Sequence, residues 1–92
     1  MIVRYWADAL ADIDDILSYL HERRPSGARN VLHAIHLGIN EIAEQPRANR
    51  QTNDPDIRVK IMTRYRYNIF YSVENDFIDI IHVRHTSRRP WP

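Results

Sequence analysis

Apolar residues recur at three- and four-residue spacing along the first half of the chain, and at every other position through much of the second half. Ile2-Val3-Arg4-Tyr5-Trp6 opens with β-branched and aromatic residues and reads as a first strand. Asp8 is placed as the N-cap of a helix over about residues 8–23, with Leu10, Ile13, Leu17 and Leu20 as its apolar stripe and Ile16 and Tyr19 beside it. Asp12, Asp14 and Asp15 near its start, and His21, Arg23 and Arg24 at its end, suit the helix dipole. Pro25 stops this helix and Ser26-Gly27 starts the next, whose stripe of Ala28, Val31, Leu32, Ile35, Ile39 and Ile42 runs to about Glu44. So short a connection makes an antiparallel helical hairpin. Gly38 lies inside the second helix, where it costs about 1 kcal/mol relative to alanine. Close contact with the first helix or the sheet is the expected compensation.

A polar loop, Gln45 to Asp56, precedes three strands. Ile57 to Met62 alternates, with Ile57, Val59 and Ile61 on one face and Arg58 and Lys60 on the other. Tyr65 to Val73 is a second strand of the set, Glu74-Asn75-Asp76 a turn, and Phe77 to Arg84 a third strand, apolar on both faces. The order β-α-α-β-β-β predicts an α+β fold of two layers, a helical hairpin on one face of an antiparallel sheet. The other face is expected to be partly open and to carry basic residues. The tail from His85 to Pro92 reads as irregular.

Length makes this one domain over residues 1–92, with a thin core. The chain has no cysteine, which excludes disulfides and thiolate metal sites. With neither a long apolar run nor a signal-peptide pattern, a soluble cytoplasmic protein without membrane contact is expected. Net charge is only +1, but its distribution is uneven. Residues 1–46 hold 4 Lys and Arg against 7 Asp and Glu, and residues 47–92 hold 9 against 5, so a positive patch is expected on the strand-rich half.

Several local patterns, in this order of elements, resemble the ParE branch of the ParE/RelE toxins. They are Trp6-x-x-Ala9-x-x-Asp12-Ile13, Pro25-x-x-Ala28, Arg58, Tyr65 through Tyr71-x-Val73, and His82-Val83-Arg84-His85 followed by Arg88-Arg89-Pro90. Where that family usually has Pro-x-x-Gly-Arg, this chain has Pro46-Arg47-Ala48-Asn49-Arg50, and Asn49 is expected to stand in for glycine in a left-handed turn. The resemblance implies the toxin half of a type II toxin–antitoxin pair, held inactive by a ParD-like antitoxin. It also implies inhibition of DNA gyrase, whereas RelE-like members cut mRNA on the ribosome.

An RNA-cleaving reading needs a base, an acid and phosphate clamps. His85 with Arg64 and Arg84 would supply them, supported by Arg58 and Lys60. The alternative is that His82 and His85 are merely polar ends of a central strand. His33 and His36 lie three apart on a helix, yet the pattern supplies no further ligand, so no metal and no cofactor are expected. The reading taken forward is an inhibitor without a catalytic site. Its target-binding surface would be Arg58, Lys60, Arg64, Arg84, His85, Arg88, Arg89 and Trp91. Direct nucleic-acid binding by these arginines and the interleaved tyrosines is left open. Ile16, Tyr19, Ala34 and Leu37 lie beside or off the main stripes and are expected to line one groove for the antitoxin.

Overall fold

The structure, a computed structural model, describes residues 1–87. Its elements are β1 (Ile2–Tyr5), α1 (Ala7–Arg23), α2 (Pro25–Glu44), β2 (Arg58–Ile61), β3 (Tyr67–Glu74) and β4 (Phe77–His85). The described residues form a four-stranded sheet in the order β1-β4-β3-β2. The meander β2-β3-β4 is antiparallel, and β1 closes the far edge parallel to β4, with Ile2 beside Phe77 and Tyr5 beside Ile80. The fold is α+β in two layers, in the element order read from the sequence.

Local chemistry explains most boundaries. Pro25 opens α2 at its first turn, where its missing N–H costs nothing. Trp6, not Asp8, is the N-cap of α1 and makes no side-chain cap bond; Asp8 instead places its charge in the first turn. Asn75 adopts a left-handed φ of 52° in the tight link from β3 to β4. Arg66 also has a positive φ, of 58°, and β3 therefore starts at Tyr67, two residues later than the pattern suggested. The register of β3 on β4 shifts after Phe70, which pairs with His82 while Tyr71 pairs with Ile80, leaving Ile81 as an extra, buried residue.

The main core lies between the hairpin and the sheet, where Val31, Ile35, Ile39 and Ile42 of α2 meet Ile69, Tyr71, Ile78, Ile80 and Val83. Two expectations are corrected here. The stripe of α1 is turned from the one read in the sequence: Ala9 is buried, Ile13, Ile16 and Leu20 pack on the core, and Leu10 stands 54% exposed. The two basic residues of β2 do not lie on the sheet face away from the helices. Ile57, Val59, Phe70 and Ile81 form a second apolar cluster, while Lys60 and Arg58 turn to the helix side. Their long stems can lie along apolar surface while the charged ends find oxygen: Lys60 Nζ lies 2.7 Å from Glu41 on α2.

Gly38 explains how closely α2 approaches the sheet. A Cβ built there would lie 3.1 Å from Cδ1 of the buried Ile69, so the contact expected for this glycine is made with the sheet.

Candidate functional site

Two clefts flank the hairpin. The first, of about 410 Å³, runs between α2 and the end of β2 with the turn after it. Ala34, Leu37 and Gly38 form one wall, and Lys60, Ile61, Met62 and Arg64 the other. Leu37 and Ile61 are about half exposed, so apolar surface stands open beside charge. The Lys60–Glu41 pair ties the walls together, and the Arg64 guanidinium sits 5.4 Å from the Tyr65 ring centre, within cation–π range.

The second cleft, of about 610 Å³, lies between α1 and the ends of β3 and β4. Ile16, Tyr19 and Leu20 face Tyr67, Val83, Arg84 and His85 across it. A polar clamp forms part of its floor. Asp12 Oδ2 accepts from the Val83 amide at 3.0 Å and meets His82 Nδ1 at 2.8 Å, while Asp8 lies 3.9 Å from the other ring nitrogen. His85 packs edge-on to Tyr67 with ring centres 5.2 Å apart, and burial pushes the Tyr67 phenol up. Its Nδ1 accepts from the Ser87 amide at 3.1 Å and lies 2.7 Å from the Ser87 hydroxyl. Arg84 Nε and Asn68 Oδ1, on residues paired across β3 and β4, are buried and have no hydrogen-bond partner among the described residues.

The sequence profile described as "ParE toxin of type II toxin-antitoxin system, parDE" matches residues 3–90. The chain belongs to the ParE toxin family. It is also 27% identical over 90 residues to the "Putative toxin Y4kP" of Sinorhizobium fredii, covering 98% of this chain and 92% of that protein. Among solved structures, a chain of the "Chromosomal ParDE TA system from P. aeruginosa" superimposes with a TM-score of 0.82. That match covers 95% of this chain and 97% of the other at 19% identity, and so speaks for the fold.

Within this ParE-family fold the site residues read from the sequence are distributed unevenly. The four apolar positions proposed for one groove divide: Ala34 and Leu37 line the first cleft, Ile16 and Tyr19 the second. Ile16 and Ala34 are partly buried against the core, whereas Tyr19 and Leu37 stand 58% and 49% exposed. The basic positions divide likewise, Lys60 and Arg64 to the first cleft and Arg84 and His85 to the second. Arg58 lines neither; its Nη1 donates to the carbonyls of Asn49 at 2.6 Å and Arg47 at 3.3 Å, binding the loop after α2 to the sheet. Arg88, Arg89 and Trp91 lie outside the described residues. His33 and His36 are both exposed, and the described residues hold no group of three or more metal-binding side chains. No described helix is long and apolar enough to cross a membrane.

The Pro46–Arg50 segment replaces the family's glycine without the left-handed turn expected at Asn49, which has no positive φ. Asn49 works instead through its side chain, donating to the Tyr71 hydroxyl at 3.1 Å while that hydroxyl donates to the Pro46 carbonyl at 2.7 Å. Burial pushes the Tyr71 phenol up, against the lowering effect of the Asn49 bond. Sequence reasoning missed the Asp12–His82 clamp and a second tie, Arg4 to Asp79, at 2.7 and 3.1 Å. Asp12 was readable as a dipole charge, but its partner lies 70 residues away. Its place next to Ile13, between Ala9 and Ile16 on the inward face, is the signal that could have found it.

Proposed function

We propose that this toxin inhibits DNA gyrase by surface binding, without a catalytic site of its own, and that a ParD-like antitoxin neutralises it by filling the two clefts. The observation that carries the non-catalytic reading is the contact of His85 with Ser87. The ring's Nδ1 accepts from the Ser87 amide, so that nitrogen is not open to serve as a general base while the contact holds. Arg64, the third member of the nuclease set, lines the other cleft. The antitoxin reading draws on family membership and on the half-exposed Leu37 and Tyr19, each set beside cations that would pair with acidic flanks of a bound segment.

The runner-up, a RelE-like ribosome-dependent mRNA endonuclease, is favoured by one feature: Arg84, His85 and Tyr67 share a cleft. Inducing the chain alone in bacteria separates the readings. The gyrase reading expects a DNA-damage response, with toxicity of His85→Ala within a few fold of the parent. Ribosome-positioned mRNA cuts that fall by about 10²–10⁴ in rate in His85→Ala would overturn it. Leu37→Asp is expected to weaken antitoxin binding while the melting temperature stays near that of the parent. Unchanged antitoxin affinity removes the first cleft from the neutralising surface.

A further inference from the structure

The helices cover one face of the sheet. Ile69, Tyr71, Ile78 and Ile80 belong to the core against the hairpin, so Phe70 turns to the other face, where it clusters with Ile57, Val59 and Ile81. No described helix or strand lies over that face. A sheet packed on one side leaves its other face to solvent. Here, however, Ile57, Val59, Phe70 and Ile81 are only 9%, 5%, 5% and 1% exposed. Asn68, two residues from Phe70 on the same face, and its register partner Arg84 each hold a buried polar atom with no hydrogen-bond partner among the described residues, so water is shut out there too. The described chain ends at Ser87, in a turn after β4 held by the Ser87 amide on His85 Nδ1 at 3.1 Å.

We propose that the segment Arg88-Arg89-Pro90-Trp91-Pro92 folds back across this face as a strap and seats the Trp91 indole on Phe70 and Ile81. The reach is sufficient. Phe70 pairs with His82, three residues before the end of β4 at His85, which is about 10 Å at about 3.3 Å per residue. The four steps from Ser87 to Trp91 span at most about 14 Å, and the turn lets the chain reverse. Composition suits a strap and not a fifth strand. Pro90 and Pro92 have no N–H to give to a ladder, and none to leave unpaired on an apolar floor. Trp91 is the one large apolar side chain of the segment, and an aromatic of this size buries roughly 150–250 Å². Arg88 and Arg89 can lay their stems along the face and keep their charged ends in water. A tethered segment also closes at a lower entropy cost than a separate chain of the same composition. Trp91 is then held by the fold and is not a free arm for the target. The clefts of the proposed function flank the hairpin, so the inference stands apart from that reading.

The test reads Trp91 by fluorescence in the full chain carrying Trp6→Phe, where it is the only tryptophan. Its emission is expected on the blue side, and acrylamide should quench it several-fold less readily than N-acetyltryptophanamide. Adding Phe70→Leu should shift the emission to the red and raise the quenching, whereas Tyr19→Ala, in the second cleft, should change neither. In the parent, Trp91→Ala should lower the melting temperature by about 10 °C or more and raise the binding of an apolar dye. This variant keeps the test decisive if Phe70→Leu does not fold. A Trp91 in the folded chain that acrylamide reaches as readily as the free indole overturns the proposal. So does protection lost on dilution, which would make a second copy the cover. Protection lost in Tyr19→Ala but kept in Phe70→Leu would move the segment to the second cleft, and an unchanged melting temperature in Trp91→Ala would remove it from the fold; either result overturns the strap.

Discussion

The two helices of the hairpin are close in length and both amphipathic, yet they hold to the sheet in different ways. α2 buries Ala28, Val31, Ile35, Gly38, Ile39 and Ile42, and at Gly38 it lies against Ile69. α1 buries Ala9, and otherwise rests on half-buried Ile13, Ile16 and Leu20 with a polar clamp from Asp12 to β4. The difference teaches a division of labour. A helix that spends its apolar face on the core leaves little for a partner, whereas one that packs by its margin keeps Tyr19 and Leu10 in the open. α2 contributes to a cleft through Leu37, off its stripe, while α1 contributes part of the stripe itself.

The sharpest way to break this comparison is to truncate both helices. Ile35→Ala in α2 removes a side chain that is 1% exposed and should destabilise by about 3 kcal/mol. Leu10→Ala in α1 should cost less than about 0.5 kcal/mol, as surface changes do. Denaturant unfolding of both variants measures the gap. Equal losses would mean that α1 is as deeply seated as α2.

A smaller effect tests the clamp. Asp12→Ala removes the carboxylate that accepts from the Val83 amide and sits against His82 Nδ1, and should cost about 1–3 kcal/mol. If α1 depends on this clamp, hydrogen exchange in α1 should accelerate more than in α2. Uniform acceleration would show that the two helices open together.

The smallest effect concerns the polar tie beyond the end of α2. Tyr71→Phe loses the hydroxyl that holds Pro46 and Asn49, for about 1 kcal/mol. Both Tyr67 and Tyr71 have phenol pKa values raised by burial above the unfolded value of about 10. Their contribution to stability is therefore fully present below about pH 10 and is lost as pH rises above it. Melting temperatures recorded from pH 8 upward should stay level and then fall, and the fall should be shallower in Tyr71→Phe. A parent whose melting temperature is flat to pH 12 would contradict the burial of these phenols.

Much of this molecule was legible without coordinates. Element order, the helical hairpin and the antiparallel meander follow from local periodicity and punctuation: Pro25 opens α2, and Glu74-Asn75-Asp76 marks the link between β3 and β4. Such signals act over a few residues, so one sequence carries them whole. Tertiary structure alone decided what depends on distant partners. It turned the stripe of α1 from Leu10 toward Ala9 and Ile16, because helix rotation answers to β4 and not to spacing within the helix. It sent Lys60 and Arg58 to the helix side and left Ile57 and Val59 on the other, because alternation shows that two faces exist without showing which one meets the helices. It gave Asn49 a side-chain role in place of a backbone one. It also divided a single expected groove into two clefts, because Ile16 and Leu37 sit on helices that lean on different strands.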